Sequence, residues 1–194
     1  MRDWDKIAKS LNTHAWRPER VQTGILFIDC QEYFRGLISP ILENIKGVIE
    51  AAHKGNVPLF FTQHGHKQNE DSGLLGEWWT DTIIEGSESA RLLPELRLGP
   101  GDIVIKKDRY SAFYKTHLEQ RLREKNVRDL VIGGVMTNLC CETTARDAFV
   151  RDFRVFFLVD GTSTANADFH LATLKNLSYG FATLMTCNQA VSFL

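Results

Sequence analysis

The chain has 194 residues, 43% of them hydrophobic, and a formal net charge of −1, which predicts a single domain over 1–194 with a buried core. Residues 1–20 are polar and irregular, which indicates a surface arm or a short helix laid on the surface. Charges of both signs are mixed along the chain, so neither a basic stripe nor an acidic tail marks it as a nucleic-acid binder. No apolar run is long enough to cross a bilayer and the charged start has no signal-peptide core, so we expect a cytoplasmic protein without a membrane contact.

Six short apolar runs predict the strands of a buried sheet, because continuous hydrophobicity is typical of strands covered on both faces. They are residues 23–30, 57–63, 102–107, 128–135, 154–160 and 181–186. Helical patterns lie between most of them, at 41–54, 116–126, 137–151 and 168–179. This alternation favours an α/β fold with three layers, α-β-α, in which a Rossmann-like, mostly parallel sheet of about six strands carries helices on both faces.

The sequence also marks two helix starts and one long loop. Ser39 stands before Pro40, which favours Ser39 as the N-cap of the helix that follows. Thr137 is expected to cap the helix that begins after the fourth strand. Residues 64–100 form a long Gly-rich segment, and so long a connection in a compact domain is typical of a functional loop.

Polar residues follow three of the predicted strands at their carboxyl ends, where ligands bind in parallel sheets. Asp29 closes the first apolar run, Lys107 ends the third, and Cys140 follows the fourth. Each alone is equally well explained as a polar residue where a strand meets solvent. Together they supply a base, a positive charge and a nucleophile, and the first turn of a helix would favour a thiolate at Cys140. Free backbone N–H groups there are also suited to binding an oxyanion.

The four cysteines are Cys30, Cys140, Cys141 and Cys187, and no CxxC pair occurs. The number and spacing of these cysteines are typical neither of a disulfide framework nor of a zinc ribbon. Successive helical residues differ by about 100° in direction, so Cys140 and Cys141 cannot face one pocket. We therefore expect Cys141 to pack in the core, as a small apolar residue, together with Cys30 and Cys187.

Four separated segments carry motifs of one protein family. They are ILFIDCQEYF (25–34), KDRYSAFYKTHL (107–118), GGVMTNLCCETTARDAF (133–149) and VFFLVDGTSTAN (155–166). In this order and spacing they resemble the isochorismatase-like cysteine hydrolases, which include nicotinamidases, N-carbamoylsarcosine amidohydrolase and ureidoacrylate hydrolase. The segment GVMTNLCCETTAR and the loop around HGHKQNEDSGLLGEWW are similar to a nicotinamidase-like subgroup of that family.

The resemblance implies a catalytic triad of Asp29, Lys107 and Cys140, in which Lys107 is chosen by its place before the Tyr-Ser-Ala-Phe run. It also implies a non-proline cis peptide bond before Met136. The backbone N–H groups of Met136 and Cys140 are then the expected oxyanion hole. The implied activity is hydrolysis of a C–N bond in a small amide or ureido compound, through a thioester on the cysteine.

The resemblance leaves substrate and assembly open. One alternative is a nicotinamidase, which converts nicotinamide to nicotinate and ammonia. Another is an isochorismatase-type vinyl-ether hydrolase, which does not need the cysteine. A binding or assembly module on the same fold is a further hypothesis, which the complete triad disfavours. Family members are commonly dimers or tetramers, so we expect a homo-oligomer.

Rings near these motifs are candidates for substrate binding, because flat walls suit a flat ligand. The candidates are Phe34, His64, Trp78, Tyr110 and Phe113, with Trp79 as a further aromatic. Nicotinamidases often hold a metal through an Asp-x-His pair and another histidine, whereas this stretch reads His64-Gly65-His66. A zinc site needs three or four protein ligands, which only Glu70 or Asp71 would complete. We expect no cofactor, with zinc at His64 and His66 as the alternative.

Overall fold

The computed structural model, which describes residues 3–68 and 72–194, is built on one parallel sheet with the strand order β3-β2-β1-β4-β5-β6. The strands are β1 Thr23–Ile28, β2 Leu59–His64, β3 Ile103–Lys107, β4 Asp129–Val135, β5 Arg154–Ser163 and β6 Ala182–Met185. The helices are α1 Trp4–Leu11, α2 Arg35–Ile38, α3 Leu42–Gly55, α4 Leu74–Trp78, α5 Leu118–Glu124, α6 Glu142–Val150, α7 Ala167–Gly180 and α8 Cys187–Phe193. The prediction of an α/β fold with helices on both faces of a parallel sheet is confirmed.

The sheet separates two apolar layers, because successive residues of a strand point to opposite faces. Leu26 belongs to the layer beneath α1, α5, α6 and α7. Its neighbour Phe27 belongs to the layer beneath α3 and α8. Every residue of β1 and of β4 is buried, which explains why these runs are apolar without alternation.

Neither predicted N-cap is correct. Ser39 lies in a 3₁₀ turn that continues α2, and its hydroxyl donates to the carbonyl of Arg35 at 2.7 Å. Its backbone is helical rather than extended, so the side chain cannot cap α3, which begins at Leu42. Thr137 opens a π-helical turn before α6, and its hydroxyl is bound to His170 instead.

The expected surface arm contains a helix that docks on the sheet. Ala8 of α1 is fully buried in the core. After α1, the Asn12 amide donates to the Leu184 carbonyl at 2.9 Å and accepts from the Leu184 N–H at 2.7 Å. These bonds occupy backbone groups of β6, the strand at the edge of the sheet, and so protect that edge from other chains. The closing helix α8, which has a capping box at Thr186, was not predicted.

The strand order reverses between β1 and β4, which is where ligands bind in open α/β sheets. The two strands approach closely at Ile28 and Gly134. Gly134 has a φ of +108°, and a Cβ there would overlap the Ile28 carbonyl. This contact holds the turn after β4 against Asp29, the residue that follows β1.

Candidate active site

The three predicted catalytic residues, which come from three separate motifs, form one cluster. Lys107 Nζ lies 2.7 Å from Asp29 Oδ2, and neither side chain is exposed to solvent. The same ammonium donates to Cys140 Sγ at 3.4 Å and to the Arg109 carbonyl at 2.9 Å. Lysine, aspartate and cysteine are therefore in direct contact at the carboxyl edge of the sheet.

Asp29 is held by the neighbouring strand β2. Its N–H donates to Thr62 Oγ1 at 3.0 Å, and the Thr62 hydroxyl donates to Asp29 Oδ1 at 2.6 Å. The Asp29 backbone has a φ of +50°, a conformation that aspartate tolerates better than most residues. One carboxylate oxygen is thus fixed, which leaves Oδ2 to face Lys107 and Cys140.

The charges of the cluster decide its resting state. Burial raises the pKa of the Cys140 thiol to about 12, against the opposing effect of the Lys107 charge and with a further increase from Asp29. Burial alone would lower the pKa of Lys107, but its contacts with Asp29 and Cys140 outweigh burial and the pKa is raised. These directions favour a protonated Cys140 thiol beside the charged Lys107, so that a base such as Asp29 is needed to remove its proton.

The nucleophile sits in an unusual turn after β4. The peptide bond between Val135 and Met136 is cis, as the resemblance implies, and Thr137–Cys141 form a π-helical turn. The N–H groups of Leu139 and Cys141 donate to the Met136 carbonyl at 3.1 and 3.2 Å. The Cys140 N–H lies between them and takes no part in those two bonds. Such widened turns are frequent at functional sites.

Thr137, the first residue of this turn, is held by His170 of α7. His170 Nε2 lies 3.0 Å from the Val159 carbonyl, which can only accept, so Nε2 is the protonated nitrogen. In a neutral ring, Nδ1 then accepts from the Thr137 hydroxyl, 3.0 Å away. This bond fixes the backbone beside Met136.

The two adjacent cysteines differ as expected. Cys140 contacts Lys107 and borders a cavity. Cys141 is fully buried in the core, with Sγ 3.9 Å from the carbonyl of Gly133. Cys30 and Cys187 are buried free thiols as well, as predicted.

A cavity of about 220 Å³ opens onto Cys140, smaller than the roughly 300–1,000 Å³ of sites for drug-sized ligands. Its described lining is Tyr33, Phe34, His64, His66, Leu75, Trp79, Thr80, Asp81, Thr82, Ile83, Tyr110, Met136, Leu139 and Cys140. Trp79 Nε1 donates to Tyr110 Oη at 2.7 Å, and Tyr33 Oη donates to Asp81 Oδ2 at 2.9 Å. These bonds fix the orientation of three aromatic rings around the cavity.

The structure separates the five predicted substrate-binding residues. Phe34, His64 and Tyr110 line the cavity. Trp78 does not, because α4 ends there with 78% of this residue exposed. Phe113 is also outside the lining, since it is buried in the core and stacks on Phe153 with ring centroids 5.9 Å apart. The predictions for Trp78 and Phe113 are therefore corrected, and the neighbouring Trp79 takes the place of Trp78.

Sequence reasoning missed the wall formed by residues 79–83, apart from Trp79. This segment reaches the cavity because the chain turns back and pairs His66 with Ile84, and its sequence has no periodic pattern. Gln31 was quoted in a motif but given no role. Its amide is fully buried and holds the end of β2 through bonds to the His64 backbone. A polar residue within an apolar stretch was the sequence feature that could have indicated this role.

The described residues do not fit a zinc site. His64 Nδ1 lies 3.5 Å from the Lys107 ammonium, which does not suit a second cation. The rings of His64 and His66 are 5.0 Å apart. Within 3–68 and 72–194, no group of three or more His, Cys, Asp or Glu residues is placed to hold an ion. Glu70 and Asp71 lie outside the described residues.

Comparisons with known proteins identify the family of this chain. The isochorismatase domain family matches residues 23–189. Nicotinamidase 3 of Arabidopsis thaliana is 44% identical over 89% of this chain and 88% of its own length. Ureidoacrylate amidohydrolase RutB of Cronobacter sakazakii is 31% identical over 80% of this chain and 75% of its own. A cysteine hydrolase from Pseudomonas syringae pv. phaseolicola has the same fold, with a TM-score of 0.88 at 21% identity over 92% of this chain and 95% of that one.

The fold and the Asp-Lys-Cys cluster define a cysteine hydrolase for small molecules. The chain belongs to the isochorismatase family. Among the helices in the described part of the chain, none has the length and apolar character needed to cross a membrane.

Proposed function

We propose that this protein is a cysteine-dependent amidohydrolase that cleaves the carboxamide of a small, neutral, aromatic amide, and that nicotinamide is such a substrate. The observation that carries the proposal is the position of Cys140 at the floor of an aromatic cavity whose described lining has one charged side chain, Asp81. The 44% identity to Nicotinamidase 3 supports the same substrate class.

The cavity suits a single flat ring. Phe34, Trp79 and Tyr110 contribute ring faces and edges to its wall, and such surfaces bind planar ligands through offset or edge-to-face contacts. The volume of about 220 Å³ limits the ligand to a small molecule. A ring with one carboxamide fits both restrictions.

The charge of the cavity argues against anionic substrates. Burial lowers the pKa of His64 to about 4 and also lowers that of His66, so both rings are neutral at pH 7. Asp81 would repel a carboxylate. A ureidoacrylate carries a carboxylate, and so does the vinyl-ether substrate of an isochorismatase, whereas nicotinamide is neutral. The alternatives with anionic substrates are therefore disfavoured.

The first half of the proposed reaction is acylation. Asp29 accepts the thiol proton as Cys140 Sγ attacks the amide carbon, and Lys107 stabilises the developing thiolate. The carbonyl oxygen becomes an oxyanion, which accepts hydrogen bonds from the N–H groups of Met136 and Cys140. Asp29 then returns the proton to the leaving nitrogen, so that ammonia departs and a thioester remains.

The second half is hydrolysis of that thioester. Asp29 takes a proton from a water molecule, whose oxygen attacks the thioester carbon. Collapse of the tetrahedral intermediate expels the Cys140 sulfur, which regains the proton from Asp29. The products are a carboxylic acid and the free thiol, and the departing carboxylate is repelled by Asp81.

The proposed reaction needs no metal, since Asp29, Lys107 and Cys140 supply every proton and charge in it. Residues 1–194 act as a single domain in the cytoplasm, where buried free cysteines such as these stay reduced. Nucleic acid has no part in the proposed activity.

We also propose that the protein is a homo-oligomer. Leu74 and Trp78 are both 78% exposed on α4, and exposed large apolar side chains that lie together mark interaction surfaces. Light scattering coupled to gel filtration measures the mass in solution. Dissociation of the wild-type assembly on Trp78→Ser would support this surface, and a wild-type monomer would refute the proposal.

The substrate proposal is tested by ammonia release. Nicotinamide, benzamide and an anionic ureido acid are each incubated with the wild-type protein and with Cys140→Ala after dialysis against a chelator. We expect ammonia from the neutral aromatic amides and none from Cys140→Ala. Faster release from the ureido acid, or activity that the chelator removes, would contradict the proposal.

A further inference from the structure

We infer that His64 is a specificity-determining residue whose Nε2–H group donates a hydrogen bond to an acceptor atom in the ring of an aromatic amide substrate, such as a pyridine nitrogen. This inference rests on the proposed function. It adds a requirement that the function alone does not make, namely that an aromatic amide with a ring acceptor is preferred over one without.

His64 is held in place before any ligand binds. It is the last residue of β2, and the side chain of Gln31 bonds to both of its backbone groups. Gln31 Oε1 accepts from the His64 N–H at 2.7 Å, and Gln31 Nε2 donates to the His64 carbonyl at 2.8 Å. The same Nε2 donates to the Ala90 carbonyl at 2.8 Å, which also links Gln31 to the loop that contains Ala90. A fully buried amide with these bonds fixes the His64 backbone.

The neighbouring ammonium determines which ring nitrogen of His64 carries the hydrogen. Lys107 Nζ is 3.5 Å from His64 Nδ1. A charged lysine has only hydrogens to offer, so Nδ1 must act as the acceptor and the hydrogen of the neutral ring resides on Nε2. Nε2 lies on the opposite edge of the imidazole from Lys107, and within the described residues it makes no hydrogen bond. The ring lines the cavity, so this donor is available to a ligand.

The ring stays neutral while it does so. Burial and the Lys107 charge lower the pKa of His64 to about 4. The residue is therefore a single-hydrogen donor at neutral pH and not an ion. A neutral donor strengthens binding of a neutral acceptor without attracting anions, which agrees with a cavity that holds Asp81.

The His64 ring and the nucleophile border the same cavity and both lie beside Lys107. Lys107 Nζ contacts both, at 3.4 Å from Cys140 Sγ and 3.5 Å from His64 Nδ1. A one-ring amide can bridge that span, with its carbonyl carbon at the sulfur and a ring atom at the imidazole. A site that presents a buried donor discriminates against the analogue without an acceptor, because the donor is then left unpaired.

The experiment compares nicotinamide with benzamide, which has the same shape but no ring nitrogen. The quantity measured is the ratio of kcat/KM for the two amides, in the wild type, His64→Gln and His64→Leu. We expect the wild type to favour nicotinamide by about 10- to 100-fold. His64→Leu should reduce the ratio to near one, and His64→Gln, which keeps a donor, should retain part of it.

Two results would overturn the inference. One is a wild-type ratio near one, and the other is an unchanged ratio in His64→Leu. A variant that loses both activities in equal proportion also counts against a donor role, because the ratio is then unchanged. His53→Leu is the matched control, since His53 pairs with Asp102 outside the cavity, and it should keep the wild-type ratio. Failure of the proposed function is distinct, since neither amide would then release ammonia from the wild type.

Discussion

The catalytic floor, defined as Asp29, Lys107 and Cys140, and the cavity wall, defined as residues 79–83 with Tyr110, are built in opposite ways. The floor residues lie at or just after the ends of strands and are less than a tenth exposed. The wall is a loop in which Trp79 is 44% exposed. In the floor, Lys107 forms an ion pair with Asp29 and donates a charged hydrogen bond to Cys140, whereas Trp79 and Tyr110 are joined by one neutral hydrogen bond.

This difference follows from what each region has to do. A buried ammonium and carboxylate must be paired at short distance, because an unpaired charge in a dry site is very costly. Strand ends, with backbones fixed by the sheet, provide that accuracy. The wall needs only to present ring surfaces, which a loop can do. In the proposed function, the sheet therefore carries the reaction chemistry and the loop the choice of substrate.

The largest expected effect is a difference in kcat between substitutions of Cys140 and of its neighbour Cys141. Cys140→Ala should reduce kcat for ammonia release by at least about 10³-fold, because the nucleophile is gone. Cys141→Ala should leave kcat within about 3-fold and reduce stability by roughly 1–3 kcal/mol through a small cavity in the core. If Cys141→Ala also abolished activity in a folded protein, Cys141 would have to be included in the floor.

The buried ion pair between Asp29 and Lys107 should stabilise the folded protein more than the surface pair between Lys106 and Glu85. Asp29→Asn leaves the Lys107 ammonium buried without its counterion, so the free energy of unfolding should fall by about 3–5 kcal/mol. Glu85→Gln removes the half-buried partner of the exposed Lys106 and should cost less than about 1 kcal/mol. Urea unfolding at pH 7 measures both. Equal losses would show that burial does not distinguish the two pairs.

Protonation of His64, which lies between the floor and the wall, should lower the free energy of unfolding as the pH decreases. Its pKa is lowered from 6.5 to about 4, so the unfolded state binds the proton first as the pH decreases. The contribution of His64 is complete above pH 6.5 and is lost as the pH falls through about 4, a change of about 3 kcal/mol. Urea unfolding of His64→Gln from pH 7 to pH 4 should lack this part of the decrease. Parallel curves for the two proteins would refute the assignment.

The smallest expected effect lies in the wall. Trp79→Phe keeps a ring but removes the bond to Tyr110, so KM for nicotinamide should rise by about 2- to 10-fold, with kcat nearly unchanged. Trp78→Phe, on the exposed neighbour, should leave both constants unchanged. A drop in kcat without a change in KM would show that Trp79 also affects the floor.

The sequence predicted the floor better than the wall. Continuous apolar runs located all six strands, and Asp29, Lys107 and Cys140 were chosen because they follow such runs within recognisable motifs. The helix caps at Ser39 and Thr137 were wrong, because tertiary contacts gave each hydroxyl a different partner. Local sequence cannot reveal such partners.

For this protein, the sequence alone determined the fold class, the three residues of the floor and the different surroundings of Cys140 and Cys141. Those features depend on hydrophobic periodicity and on short motifs, which are local. Tertiary structure alone decided the burial of the Cys140 thiol beside Lys107, the tautomer of His64 and the choice of Trp79 over Trp78 as a residue that lines the cavity. Each of these depends on burial and on neighbours distant in the chain, namely Lys107 for both His64 and Cys140 and Tyr110 for Trp79.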